Sequence, residues 1–568
     1  MIIKARYHIF STLAAVVLLI VLSCQSAPVT PRNPVDTETP VVVQQPSSGL
    51  VEEVRSLTET GRLSSMLQAL ELIRSRDISG IDFGRMMSGI NVLLITLIYP
   101  DSPVRLPAVD LPQSAYTRII REAERGNYVR PAEDSEDFFD YILPFLSVND
   151  QTSRETFAGI LDDLRRAGEL RPDSVLPPYF QGRVYELAGS LDQAEAAYRQ
   201  AYQLYSECYP ALAGIARLRT LAGNPAEAAA ILSDLIIRYP DSLSIKRQLA
   251  AAYYENRDWS RALPAIDEIL LSEPRNEEFL LMKAYILIEQ GQYSQANIPL
   301  DTYASINSSN RNYLFYRARV QAEGNRNRDS ALNYLRSIYR SNNGDVEAMI
   351  YAAGLLIDSQ RVSDQQEGRE LLVRLRQIAS SSIEVLSLSL RDAITREAWQ
   401  EAQSYLNRIL PVRRGPDDLA NAYLVERGLG NNARALTFAR ELYDKDTSNS
   451  DYTVVYISAL IDNGRRDEAS RMLESRLNSA GGGSIKSRYY YLRSRIQSNE
   501  ETAISDLRSS IFEDPRNLDA IIAMFEIYHR RREERRAVQY LRLALAIAPD
   551  NPRLKRYEAE YAVQLERN

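Results

Sequence analysis

Histidine 8, histidine 529, cysteine 24 and cysteine 208 are all the imidazoles and thiols in a chain of 568 residues. His8 falls in a leader-like N-terminus, which leaves His529 as the one imidazole of the body. One imidazole rules out every multi-His metal site and leaves no basis for a His-activated Ser or Cys elsewhere in the chain. His529 follows an apolar helical run, where a packing or solvated role accounts for it. The stretch "GGGSIKS" at 481–487 looks phosphate-binding at first sight, but a P-loop places Gly directly before its Lys, and here Ile485 precedes Lys486. "AEDSEDFFD" at 132–140 gathers Glu133, Asp134, Glu136, Asp137 and Asp140 ahead of an apolar run, the charge sign that complements a helix N-terminus. It has no calcium-loop spacing. "HRRREERRA" at 529–537 mixes signs and reads as a solvated face. With a net charge of -7 and no basic face, nucleic acid is excluded as the expected partner. No catalytic residue, metal site or cofactor is expected, so the chain reads as a non-enzyme.

The elements that carry these residues begin with a targeting signal. Lys4 and Arg6 precede an apolar run at 9–22, too short to span a bilayer and suited to export. The run ends in Val21-Leu22-Ser23-Cys24, which resembles the lipobox of bacterial lipoproteins. That resemblance implies cleavage after residue 23, lipidation of Cys24 and tethering to a membrane by the acyl chains. Residues 24–50 are rich in Pro, Thr and Ser and read as a flexible spacer. With Cys24 acylated, Cys208 has no disulfide partner within the chain; it reads as a small buried hydrophobe. The implied location is the cell envelope, on the periplasmic side of the outer membrane.

Beyond residue 170 one spacing dominates. Ala194, Ala228, Ala262, Ala296, Ala331, Ala402, Ala435, Ala469, Ala503 and Ala537 recur at steps of 33 to 35, with one double step of 71. Five residues before them stand Gly189, Gly223, Gly291, Gly430 and Gly464; twelve after stand Pro240, Pro274, Pro515 and Pro549. Gly ends a helix through a left-handed cap and Pro cannot continue one. Each unit is therefore helix, short turn, helix, loop, with the alanine where the two helices cross. The unit spanning the double step is the least regular: "SQRVSDQQEG" lengthens its turn and Gly368 replaces the alanine. Pro264 and Pro299 are expected near helix starts, where Pro is best tolerated.

Leu249, Ala250, Tyr253, Ala262, Ile266 and Pro274 in one unit, and Phe525, Tyr528, Ala537, Leu541, Ala544 and Pro549 in another, closely resemble the tetratricopeptide repeat family. The resemblance implies an all-α solenoid, a right-handed superhelix of about eleven repeats over 171–550, closed by a polar capping helix at 551–568. Residues 51–170 read as a mostly helical region, with degenerate repeats as one form of it, packing on the first regular unit. The 34 tyrosines against 12 phenylalanines suit a thin two-layer structure whose side chains end in water. By analogy with the family, the inner face is lined by Tyr179, Arg183, Arg217, Arg247, Tyr254, Tyr285 and Arg319. Arginine forks suit carboxylates, so the expected guest is a protein partner's acidic or C-terminal segment. The Asn positions of the family's chaperone-binding members are not filled. The function expected is a protein-binding scaffold or assembly factor; the alternative is an accessory subunit of a solute transporter that docks a solute-binding protein or encloses a small ligand.

Overall fold

The computed structural model describes residues 46–104, 111–149, 151–359, 361–479, 481–549 and 551–566; Cys24 and the leader lie outside them. Every regular element described is helical. The chain forms two compact units, residues 1–316 and 317–568.

The first unit opens with α1 (Ser48–Glu59), α2 (Leu63–Ser75), α3 (Asp82–Ile98), α4 (Ala115–Glu124), α5 (Phe138–Ile142) and α6 (Arg154–Leu170). The stretch expected to be spacer as far as residue 50 is already helix at 48, because the Ser47 hydroxyl caps α1 by accepting from the Leu50 N–H at 3.3 Å. Four repeats follow: α7 (Leu176–Leu187) with α8 (Leu191–Leu204), α9 (Tyr209–Leu221) with α10 (Pro225–Arg238), α11 (Leu243–Glu255) with α12 (Trp259–Ser272), and α13 (Glu277–Glu289) with α14 (Tyr293–Asn307). The fifth starts with α15 (Arg311–Arg319), within which the boundary between units falls.

In the second unit α15 runs into a π-helical turn, Val320–Gly324, before α16 (Arg328–Ser341). Six pairs then follow: α17 (Val346–Ile357) and α18 (Val362–Ile378), α19 (Ile383–Thr395) and α20 (Trp399–Ile409), α21 (Pro416–Gly428) and α22 (Asn432–Lys445), α23 (Ser450–Asp462) and α24 (Arg466–Ser479), α25 (Ser484–Ser494) and α26 (Glu500–Glu513), α27 (Leu518–Arg530) and α28 (Glu534–Ile547). The C-terminal cap is two short helices, α29 (Pro552–Glu560) and α30 (Ala562–Glu566), rather than one. It is not wholly polar: Leu554 and Tyr561 are buried against Phe525 and Leu541. His529 is held there too, with Nδ1 2.6 Å from the Tyr561 hydroxyl.

The periodic alanine is the fourth residue of the second helix in ten repeats, and in nine of them it is buried against the helix before it. Ala503 is the exception. The turn ahead of α26 runs from 495 to 499, two residues longer than usual, which rotates Ala503 to a half-exposed position and buries Ile504 instead. The irregular sixth repeat resolves the double step: a Cβ on Gly368 would lie 3.1 Å from both Leu356 Cβ and Ile357 Cγ1, so glycine occupies the crossing and three extra residues extend its turn and helix start.

Five residues before the alanine, nine repeats place a left-handed residue, φ between +51° and +82°. Glycine fills five of these positions, but Arg257, Arg326, Glu397 and Arg532 fill the others despite the Cβ penalty. Twenty before, Ser242, Asn276, Ser382, Asn449 and Asn517 each accept the N–H of the third residue of a first helix, at 3.1 to 3.3 Å. Each such cap stabilises its helix by about 1 kcal/mol. Pro264 and Pro299 lie farther inside their helices than expected, as sixth and seventh residues, so each deletes one backbone hydrogen bond.

The N-terminal helices do more than cover the first repeat. Phe145 stacks on Phe180 of α7 at 4.2 Å, and Tyr99 meets Tyr209 of α9 edge to face. Asp101, after α3, accepts from the Ser242 hydroxyl at 2.5 Å and the Ser244 N–H at 3.0 Å, at the start of α11. One apolar core thus runs from Val54 to Ala252, through three repeats. The acidic stretch at 132–140 serves this region internally: Asp137 caps α5 through the Phe139 N–H at 2.9 Å and pairs with Arg55 at 2.5 Å. Among the described residues no helix is long and apolar enough to cross a membrane.

Candidate functional site

Within each unit the first helices of neighbouring repeats pack directly on one another, α7 on α9 and α9 on α11, α17 on α19 and α23 on α25. That contact puts first helices on the inner, shorter path of a stack, where a partner would be gripped.

In the first unit this path carries an aromatic tract. Tyr254, Tyr285 and Tyr316 fall 31 residues apart, one helical turn short of the repeat, so they form a diagonal across α11, α13 and α15. Their rings touch in sequence, 5.7 Å between centroids at each step. Trp259, the first residue of α12, joins from the side at 5.7 Å from Tyr254 and 6.1 Å from Tyr285. All but Tyr316 keep part of their surface exposed. Burial, then the neighbouring Tyr316 and Tyr285 hydroxyls, push the Tyr254 phenol well above its usual range. Trp259 and Tyr316 were not among the residues picked from the sequence; the 31-residue diagonal was the available signal.

The arginines expected beside the tyrosines are largely committed within the chain. Arg217 donates from Nε to Glu186 Oε1 and from Nη2 to Glu186 Oε2, both at 2.9 Å. Tyr198 adds a hydroxyl donor to Oε2 at 2.6 Å, and Glu186 is buried. Burial alone would push the Glu186 carboxyl up; Arg217, with Arg183 and Tyr198, outweighs it and holds the carboxyl below its ordinary range. Arg247 is ion-paired to Glu273, and Arg319 to Glu323 at 2.9 Å. Tyr179 is corrected outright: at 3% exposure, packed on Phe180 and Tyr198, it belongs to the core. Arg183 differs from the other three arginines. It is half-buried on α7, and among the described residues it has no hydrogen bond or ion pair.

Tyr198 reaches Glu186 because two glycines let it through. A Cβ on Gly182 or Gly214 would fall 2.6 or 2.7 Å from its ring. Both glycines are in first helices, 32 residues apart and so two short of the repeat, and both face one ring.

The second unit's first helices are likewise joined by ion pairs. Arg391 of α19 meets Asp358 at the end of α17 at 2.9 Å. Asp462 of α23 takes Arg427 of α21 at 2.9 Å and Arg495, just past α25, at 2.6 Å. The buried Cys208 thiol, at the cap position of α9, is pushed up to about 12 by burial, which keeps it protonated and inert. Among the described residues no group of three or more His, Cys, Asp or Glu is placed to hold a metal ion.

Tetratricopeptide repeat models match residues 187–253 and 247–311. No curated protein matches the chain in sequence. Among solved structures, the Cut9–Hcn1 hetero-tetramer of the APC/C is 13% identical, covering 92% of this chain and 97% of that one, with a TM-score of 0.37. Yeast Tom70 is 13% identical, covering 72% and 93%, with a TM-score of 0.33. YrrB, described as a TPR protein with an unusual peptide-binding site, is 16% identical over 33% of this chain and 95% of its own, with a TM-score of 0.29. Residues 187–311 thus match tetratricopeptide repeat models, and each of the two units is built of stacked helix pairs.

Proposed function

We propose that this protein is a non-enzymatic, lipid-anchored scaffold or assembly factor of the bacterial cell envelope, which grips a partner protein on the inner face of its first unit. The observation that carries the reading is the partly exposed tract of Tyr254, Tyr285 and Trp259, backed by the buried Tyr316. Such rings offer large contact area at little conformational cost, the property of interface anchors. Tetratricopeptide repeats act in general as protein-interaction modules, and a stack of helix pairs exposes an extended surface for that purpose. The anchor rests on the apolar run at 9–22 ending at Cys24, with a Pro-rich stretch behind it. The location proposed is the outer membrane, facing the periplasm.

Two measurements test this. A photo-crosslinking residue at position 254, activated in living cells, is expected to trap one protein reproducibly by mass spectrometry; no reproducible adduct would overturn the scaffold reading. Metabolic labelling with an alkyne fatty acid is expected to mark the wild type but not Cys24→Ser, and equal labelling of both would remove the anchor.

A further inference from the structure

We infer that the aromatic tract and Glu255 together bind a lysine side chain of the partner protein, its ammonium set against the faces of Tyr254 and Trp259 and paired to the Glu255 carboxylate; this rests on the scaffold reading above. Glu255 is the last residue of α11 and Trp259 the first of α12, so they flank the short turn that follows Tyr254. The Tyr254 ring is inclined to Trp259 by 56° and to Tyr285 by 63°, and Trp259 to Tyr285 by 78°. Rings so inclined, with centroids 5.7 to 6.1 Å apart, meet as the walls of a corner and not as a flat stack. The face of such a ring attracts a cation, that of tryptophan most strongly. Glu255 supplies the opposite charge. Among the described residues it makes no hydrogen bond or ion pair, not even with Arg257 two residues on. Although the residue as a whole is exposed, its carboxyl is set in far enough for burial to push it up, and no basic side chain offsets that. After burial and the neighbouring tyrosines, this carboxylate also raises the Tyr254 phenol, which sets it beside that ring.

Elsewhere the chain covers such faces with its own arginines. Arg261 stands over Tyr253 at 4.6 Å from the ring centre, Arg493 over Tyr490 at 5.1 Å and Arg536 over Tyr528 at 5.3 Å. Each of these arginines also has its carboxylate, Asp258, Asp506 and Glu533 in turn. Among the described residues no arginine or lysine stands over Tyr254 or Trp259. The basic side chains of α11 and α13 are engaged elsewhere, Lys246 with Glu268, Arg247 with Glu273 and Lys283 with Asp267. A corner of ring faces beside an unpaired carboxylate is completed by a cation from outside. A planar guanidinium stacks on a single face, whereas a compact ammonium with three donors fits a corner and keeps a donor for the carboxylate. Lysine carries that ammonium on a flexible four-carbon stem, whose methylenes can lie against the rings.

The test pans a displayed random-peptide library against the full-length chain in detergent, then measures the enriched peptides by fluorescence anisotropy. They are expected to carry a lysine. Norleucine in its place keeps the stem and removes the charge, and should weaken binding about tenfold to a hundredfold. E255Q should weaken it about tenfold, and because Glu255 has no partner in the fold, that loss is not one of folding. D241N removes the same charge at an exposed position ahead of the opposite end of α11; it should change little, which separates the site from general attraction to an acidic chain. Arginine in place of the peptide lysine should bind more weakly, and equal binding would overturn the choice of an ammonium. Enriched peptides without lysine, or peptides that bind E255Q as tightly as wild type, would overturn the assignment and leave the scaffold reading intact. A library that yields no binder would count against both.

Discussion

The two units are built from the same helix pair and differ in how they finish their inner paths. In residues 1–316 the first helices present touching tyrosine rings and a buried Arg217–Glu186–Tyr198 cluster with Arg183 left over. In residues 317–568 the corresponding helices are linked by ion pairs that consume their own charge, such as Arg391–Asp358 and Arg427–Asp462–Arg495. The packing that makes the solenoid is indifferent to this choice, because it uses the alanine crossing and the left-handed turn. Side chains beyond the crossing are free to differ, and that freedom separates a surface suited to a guest from one already satisfied.

The sharpest test of the contrast is charge removal. Glu186→Gln leaves Arg217 facing an uncharged partner in a buried site and should destabilise the first unit by about 3 kcal/mol or more. Asp358→Asn breaks an exposed pair and should cost less than about 1 kcal/mol. Hydrogen exchange resolved by segment is the suitable readout, since a long repeat array need not unfold in one step. Equal effects would erase the distinction.

Acid titration should act in opposite directions on the second unit and on α6 of the first. In the second unit every described carboxylate with a resolved shift, Asp418 and Glu367 among them, is held below its ordinary range by donors that outweigh burial or act with little of it. Such groups contribute stability above their unfolded pKa, and it is lost as the pH falls below about 4. In the first unit burial pushes Asp163 up to about 6, against the donated hydrogen bond from Tyr128 at 2.7 Å. Its sign is reversed: the folded state is favoured below the unfolded value and loses up to about 3 kcal/mol as the pH rises through 6. Between pH 6 and 4 exchange in α6 should slow, and Asp163→Asn should flatten that response; unchanged exchange in the wild type would refute it.

Packing offers a finer comparison. Ala262→Leu should destabilise its repeat by about 1–3 kcal/mol through overpacking, whereas Ala503→Leu, at a half-exposed position, should change little. The smallest effect is conformational. Arg257 stands left-handed at φ +54°, so Arg257→Gly should stabilise by about 0.5–1 kcal/mol, and Gly189→Ala, at φ +77°, should cost about 1 kcal/mol. Thermal melts of the four variants check both pairs.

Much of the fold was legible because its determinants are local and repeated. The alanines, recurring ten times, and the glycines five before them in five repeats act within one helix pair, and that recurrence exposes the pattern. Misreadings fell where a turn length changed, as at Ala503, or where a cap was taken for spacer, as at Ser47. The N-terminal helices were poorly legible because their contacts, such as Asp101 with Ser242 across 141 residues, obey no period.

The candidate site was legible only in part, and the reason is physical. Position along a helix predicts which face a side chain takes, so Tyr254 and Tyr285 could be picked as inner-face residues. Whether an arginine on that face is available depends on a carboxylate in the preceding repeat and on how both its oxygens are used. Glu186 lies 31 residues from the Arg217 it binds and three from the Arg183 it leaves without a bond. The amino-acid order determined a chain of crossing helices, since a small residue at every crossing recurs in the letters themselves. The tertiary arrangement alone decided where charge is cancelled and where one unit of it remains, because neutralisation is set by distance in space and not by spacing in the chain.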